Sequence, residues 1–212
     1  MRMPVLETER LLIRPFVLDD LEACHQLFDV EARMEVQSLA ERKRWLEWSV
    51  MNYDELVKLD QPPYGDRAVV LRSTGQLVGS VGLVPYIAPF ELLPSFGIVA
   101  GSAAARRSTP EVGLFWALSF EGRGHGYATE AARGLIDYAF SALNLRRIIA
   151  TTDHANVASI AVMRRVGMRI EKNPYPDPPW LQVVGILENT DRVTLSAARP
   201  LDGEAKGLTL DL

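Results

Sequence analysis

Short apolar runs and helical repeats succeed one another along the chain, and proline and glycine mark where each stops. Residues 10–16, Arg-Leu-Leu-Ile-Arg-Pro-Phe, read as a strand that Pro15 ends. Asp19 and Asp20 then suit the cap and first turn of a helix carrying Leu21, Leu27 and Phe28. Trp45, Leu46, Val50, Tyr53, Leu56 and Val57 recur at helical spacing and predict a second helix over 39–59, broken by residues 61–65. Residues 67–72 and 77–86 form two strands joined through 73–76, a hairpin turn with Gly75. Residues 88–109 show no clear period and read as a long loop or insertion. An apolar, aromatic strand follows over 111–119, then glycines and a helix from about Tyr127 to Leu143. Residues 146–152 are β-rich, and 156–166 are helical with Gly167 as the stop. Strands over 168–172 and 181–187 flank a proline-rich stretch. The pattern fades beyond Glu188, so 189–212 reads as a peripheral tail on a 1–188 domain. With no repeat and no second core, the sum is one α+β domain built on a mixed sheet.

Composition sharpens this picture in two respects. At 212 residues and 48% hydrophobic, the chain is long and apolar enough for one core. Its only cysteine, Cys24, excludes an internal disulfide, and with three histidines a metal cage is not expected. Residues 1–14 hold no apolar signal region and no stretch is long enough to span a bilayer, so we expect a cytoplasmic, reduced setting and no membrane partner. The net charge of −4 argues against general nucleic-acid binding. Its distribution says more. Residues 106–169 hold nine arginines and no lysine against five carboxylates, whereas the rest has 14 basic and 22 acidic residues, a net −8. A basic half in an acidic chain fits an anionic ligand, although chance clustering on a solvated face reads the same way.

The strongest local signal is Arg123-Gly-His-Gly-Tyr-Ala-Thr-Glu-Ala131, between an apolar strand and an amphipathic helix. Closely spaced glycines let a ligand approach the backbone, and a helix start offers free N–H groups to a phosphate. A pyrophosphate is the natural guest. The loop is not a Walker A motif, which needs Gly-Lys-Ser/Thr. It is not a dinucleotide fingerprint either: the third glycine would fall on Tyr127 or Thr129. A plain strand-to-helix turn is the alternative. A second motif, Asn156-x-x-Ser159-x-x-Val162-Met163-x-Arg165-x-Gly167-Met168, opens the next helix with Asn156 and Ser159 on one side of its first turn. Asn156 also suits a helix cap.

Together these segments resemble the GNAT acetyltransferase superfamily, and most of all its RimJ/RimL-type ribosomal-protein N-acetyltransferase branch. Residues 6–14 and Glu111-Val-Gly-Leu-Phe-Trp116 resemble that branch too, so the likeness runs over roughly 5–172. It implies a mostly antiparallel sheet splayed between its fourth and fifth strands and flanked by about four helices. Acetyl-CoA would be the co-substrate, with no metal. Its pantetheine arm would enter the splay and meet the backbone of Ala117, Leu118 and Ser119. Arg123, Gly124, His125, Gly126, Tyr127, Ala128 and Thr129 would cradle the pyrophosphate, with Asn156 and Ser159 beside the arm. An N–H near Ala117 would polarise the thioester carbonyl. Two departures stand out. The tyrosine that many members carry early in the last motif helix is Met163 here, and residues 88–109 exceed a tight hairpin.

The resemblance implies direct attack by an amine. Cys24 lies far from the motifs, and no Gly-x-Ser-x-Gly elbow is present. Glu111 is the candidate base, with a strand-end salt bridge as its alternative role. Ser159 or Asn156 would serve the departing thiolate. Neutralising a lysine amine of pKa ~10.4 at pH 7 costs about 4–5 kcal/mol, an α-amine of ~7.7–8.0 only about 1. A weak base suffices for the second, which favours a protein N-terminus or another low-pKa amine. Two rivals remain: an acyl-CoA-binding sensor or scaffold without catalysis, and a transferase for a small molecule such as an antibiotic, polyamine or amino acid. A homodimer stays open.

Overall fold

The structure is a computed structural model and describes residues 2–32, 36–96 and 107–190. Among these residues eight strands form one mixed sheet. They are β1 (Leu6–Glu7), β2 (Leu11–Pro15), β3 (Gly65–Leu71), β4 (Leu77–Ala88), β5 (Thr109–Leu118), β6 (Arg147–Thr152), β7 (Arg169–Lys172) and β8 (Val183–Glu188). Across the sheet the order is β1-β2-β3-β4-β5-β6-β8-β7. All neighbours are antiparallel except β5 and β6. A parallel pair needs a crossover, and helix α3 (Tyr127–Ser141) provides it. The short β1 shifts the count by one, so the break expected between the fourth and fifth strands falls between β5 and β6.

Three further helices complete the fold: α1 (Leu21–His25), α2 (Leu39–Lys58) and α4 (Val157–Arg165). Ser38 caps α2, its hydroxyl accepting from Glu41 N–H while Glu41 reaches back to Ser38 N–H at 2.9 Å. The first helix is less regular than its pattern predicts, with a 3-10 turn before it and a π turn (Gln26–Glu31) after it. Asp20 does not cap α1 directly. Its carboxylate takes the Val17 N–H at 2.9 Å and both Arg14 terminal nitrogens at 2.7 Å.

On one sheet face, α3 and α4 cover a continuous core that includes Ile13, Val69, Leu83, Leu114, Leu135, Ile148 and Met163. The other face carries two separate cores. Phe16, Cys24, Phe28 and Leu46 pack over β2–β5 beneath α1 and α2, while Phe90, Leu93, Ile149 and Val184 pack over β6 and β8. Phe90 and Leu93 belong to the stretch expected to be loop. Strands β4 and β5 run further than their patterns predict, and residues 90–96 fold into two 3-10 turns, with Phe90 and Leu93 buried. The rest of that stretch, 97–106, lies outside the described residues, as does the tail from 191. Among the described residues no helix is long and apolar enough to cross a membrane.

A buried ion pair ties the π turn after α1 to α2. Asp29 is 3% exposed and accepts from Arg42 Nε at 2.8 Å and Nη2 at 2.7 Å. It also takes the Gln37 N–H and meets His25 Nδ1 at 2.9 Å. Burial pushes the Asp29 carboxyl up, but these hydrogen bonds outweigh it and hold the group below the usual range. Replacing Arg42 with Met leaves that carboxylate buried and without its main partner. We expect a loss of about 3–5 kcal/mol near pH 7, read by urea unfolding. Because Asp29 is depressed when folded, its contribution is whole above the unfolded value of ~3.9 and is lost as pH falls through the lower folded value. The gap between wild type and variant therefore narrows in acid. An unchanging gap would refute the ion-pair account.

Candidate active site

Strands β5 and β6 share one registered pair, Gly113 opposite Ile149. Beyond it residues 114–118 and 150–152 do not pair with each other, and a cleft of about 1380 Å³ opens there. Leu114 and Trp116 line it from one sheet face, Phe115 and Ala117 from the other, so the cleft passes through the sheet. Strand geometry also fixes the backbone donors. Ser119 gives its N–H to Val78 O at 3.0 Å, and Ala117 lies opposite Ser80. N–H groups alternate sides along a strand, so that of Ala117 points to β4, whereas those of Trp116 and Leu118 point into the cleft. Of the three residues expected to offer backbone bonds, only Leu118 faces the gap with its N–H, and Trp116 joins it.

The glycine loop closes one end of the cleft. Gly124 and Gly126 adopt φ of +80° and +82°, a region open to glycine and strained for other residues. Gly126 is the N-cap of α3 with no side-chain cap, and the first loop-to-helix bond is Glu130 N–H to Gly126 O at 3.1 Å. The N–H groups of Tyr127, Ala128 and Thr129 therefore lack helical acceptors. Such an uncapped start holds a phosphate well. Glu130 would oppose one, yet its charge is spent locally. It accepts from Thr8 Oγ1 at 2.6 Å, Arg10 N–H at 2.8 Å and Arg10 Nε at 2.7 Å. Burial raises the Glu130 carboxyl, and these bonds bring it below the ordinary range. Arg10 also donates to His125 O at 3.0 Å and lies 4.7 Å over the Tyr127 ring, which fixes the loop. Arg123 lines the cleft but donates to Leu118 O at 3.2 Å and Glu31 O at 3.3 Å, so it braces the loop as much as it offers charge. His125 is exposed and stacks on Tyr127 instead of lining the cleft.

At the other wall, Asn156 and Ser159 both line the cleft. Asn156 caps α4, its Oδ1 accepting Ser159 N–H at 3.0 Å, while the Ser159 hydroxyl is left to the cleft. Met163 is fully buried in the α3–α4 core and offers no hydroxyl. Glu111 stands apart from the cleft lining. Arg147 holds its carboxylate in a two-point pair, with Nε at 3.0 Å from Oε2, and Arg147 also reaches Glu188 at 3.3 Å. Its guanidinium lies 4.2 Å over the Phe96 ring. The salt bridge at the strand end is thus the arrangement the fold provides for Glu111. Cys24 is fully buried off the cleft, and burial pushes its thiol up to about 12, out of reach of thiolate chemistry near neutral pH. Among the described residues no three His, Cys, Asp or Glu side chains gather as a metal site.

Sequence reasoning missed Arg10, Arg133, Thr151, Thr152 and Arg165, which also line the cleft. The open strand seam, the uncapped helix start and the φ of Gly124 and Gly126 fit a CoA-type ligand, with its pyrophosphate at α3 and its arm along β5.

Comparisons with known proteins agree. Residues 10–169 match the family model described as an acetyltransferase (GNAT) domain. An uncharacterized N-acetyltransferase of Bacillus subtilis, YnaD, is 29% identical over 170 residues, 78% of this chain and 83% of that protein. Among solved structures, an acetyltransferase from Agrobacterium tumefaciens superposes with a TM-score of 0.64 at 24% identity, covering 89% of this chain and 96% of that one. RimJ of Mycobacterium smegmatis, solved with CoA-disulfide, gives 0.53 at 18%, covering 84% and 81%.

Gly126→Val tests the cradle. The substitution puts a branched side chain at φ +82°, strained by roughly 1–2 kcal/mol, beside the free N–H groups of α3. We expect acetyl-CoA affinity to fall at least ~tenfold, about 1.4 kcal/mol, in calorimetry, with the domain still folded by circular dichroism. Unchanged affinity would place the phosphates elsewhere.

Proposed function

The chain belongs to the GNAT acetyltransferase family, whose acyl transfer depends on acetyl-CoA, and from that premise we propose that its acceptor is a low-pKa primary amine, first of all a protein N-terminal α-amine. The observation that carries this reading is the state of Glu111. The carboxylate on the strand that meets the cofactor is tied to Arg147, so a strong base is not on offer there. An α-amine needs none: giving up its proton at pH 7 costs about 1 kcal/mol, against 4–5 for a lysine side chain. The RimJ fold likeness points the same way.

Acetyl-CoA, when bound, supplies an activated acyl carbon. The chain's own residues supply the rest. The N–H groups of Trp116 and Leu118 face the cleft and suit the carbonyl oxygen, which gains charge during acyl transfer. The Ser159 hydroxyl, free of any bond to its own helix, is the donor for the departing sulfur, in place of the phenol that Met163 does not provide. Asn156 keeps that hydroxyl in place by capping the turn that bears it. The amine attacks directly while the cleft holds both substrates, and its surplus proton leaves to water.

Two experiments test this reading. Release of free CoA thiol, followed with N-terminal peptide amides and small amines side by side, should be fastest with free α-amines and absent with Nα-blocked peptides. It should rise with pH through about 7.7–8.0 as the α-amine loses its proton. Turnover of small amines alone makes the chain a small-molecule transferase, and CoA binding without turnover makes it a sensor. In the second, Glu111→Gln should cost roughly 1–3 kcal/mol of stability, because Arg147 keeps only Glu188, while the pH profile of kcat/KM keeps its shape. A deficit in kcat/KM that shrinks as pH rises would instead make Glu111 the base.

A further inference from the structure

Tyr86 stands on β4 opposite Glu111, on the sheet face away from α3 and α4. Its ring is wedged between Phe90, with centroids 5.5 Å apart, and Trp180, at 6.1 Å. From there the phenol reaches across β5 to β6, where its oxygen lies 3.3 Å from the Thr151 hydroxyl oxygen. Crossing an intervening strand requires that strand to carry no side chain at the crossing point. Gly113 meets that need. A Cβ there would lie 2.9 Å from Val84 Cγ2 and 3.6 Å from Tyr86 Cβ. Thr151 lines the cleft, two positions beyond Ile149 and so just past the point where β5 and β6 part.

Either hydroxyl of this pair can be the donor. A hydroxyl has one proton to donate and two lone pairs to accept with. Whichever hydroxyl donates, the Thr151 oxygen keeps at least one lone pair that can turn to the cleft. Such a group draws an N–H donor. A primary amine has N–H to give, whereas its own lone pair must stay free for the acyl carbon. We propose that Thr151 seats the acceptor amine by accepting its N–H, and that Tyr86 is the positioning residue that turns the Thr151 oxygen towards it. The inference rests on the acetyltransferase reading above and adds the group that aims the nucleophile. During transfer the C–N bond forms, the C–S bond breaks and the nitrogen's surplus proton leaves to water. The hydroxyl pair gains and loses none.

The test titrates an alanyl peptide amide with a free α-amine, and in parallel ethylamine, into CoA-loaded wild type, Tyr86→Phe, Thr151→Val and the double variant. Tyr86→Phe keeps the ring between Phe90 and Trp180 and removes only the oxygen. Each single variant should weaken amine binding about 5- to 10-fold, the size of one hydrogen bond. The double variant should be no weaker than Thr151→Val alone, and CoA affinity and Tm should match wild type. Wild-type amine affinity in Tyr86→Phe overturns the proposal, and so do multiplying losses, a parallel loss of CoA affinity, or a wild type that binds neither amine. The expected binding pattern without any release of CoA thiol would overturn the transferase reading and leave the seat standing. Turnover by wild type that Tyr86→Phe leaves unchanged, in kcat and KM alike, would do the reverse.

Discussion

One pair of residues, Gly113 and Ile149, joins the two halves of this sheet in register, and the site exists because the ladder stops there. Strands β5 and β6 are parallel, so their link must pass through α3, and that helix lays its apolar side over both. On its face the core is continuous: Leu114 from one half packs with Ile148, Ala150 and Met163 from the other. On the opposite face two cores are built separately, one under α1 and α2 and one around Phe90 and Val184. The sheet is held together on one side and left open on the other. A ligand can therefore be gripped between helix starts on the closed side and presented through the gap to a second substrate arriving from the open side.

Charge follows the same division. The helix start that suits an anion also bears Glu130, and the conflict is settled by Arg10, just ahead of β2, which takes both carboxylate oxygens. Around the cleft stand the uncapped backbone N–H cluster of α3 and the side chains of Arg123, Arg133 and Arg165. On the open side the buried pair Asp29–Arg42 and the half-buried pair Glu111–Arg147 are each internally balanced. Such pairs contribute more to a fixed geometry than to net stability, since desolvation offsets much of their attraction. Neither pair leaves its carboxylate free to act as a base, which suits an amine that arrives partly neutral.

The local parts of this arrangement were legible in the sequence. Apolar spacing placed α2 to within one residue, because its period and its Ser38 cap are local properties. The glycine loop announced itself because positive φ and close approach demand glycine at 124 and 126. What could not be read were pairings between residues distant along the chain. Arg10 meets Glu130 across 120 positions, Glu111 meets Arg147 across 36, and Tyr86 meets Thr151 across 65. No period encodes such meetings. They follow from which strands become neighbours and in what register. Residues 90–96 were opaque for another reason: 3-10 turns bury Phe90 and Leu93 without either a strand or an α-helix period.

Register also explains why the cleft's backbone donors are Trp116 and Leu118. Pairing with β4 is set by Ser119 N–H on Val78 O, and from that bond the direction of every N–H on β5 follows. The same alternation puts Glu111 on the side where Arg147 waits, and it places Gly113 beneath Tyr86. A side chain at 113 would strike Val84, and it would also stand in the path of the Tyr86 hydroxyl. The glycine that lets β5 and β6 make their last contact is thus the one that lets a hydroxyl from β4 reach the cleft. Met163 is turned into the core and offers no phenol from the helix on the closed side, whereas Tyr86 brings one to Thr151 from a strand on the open side.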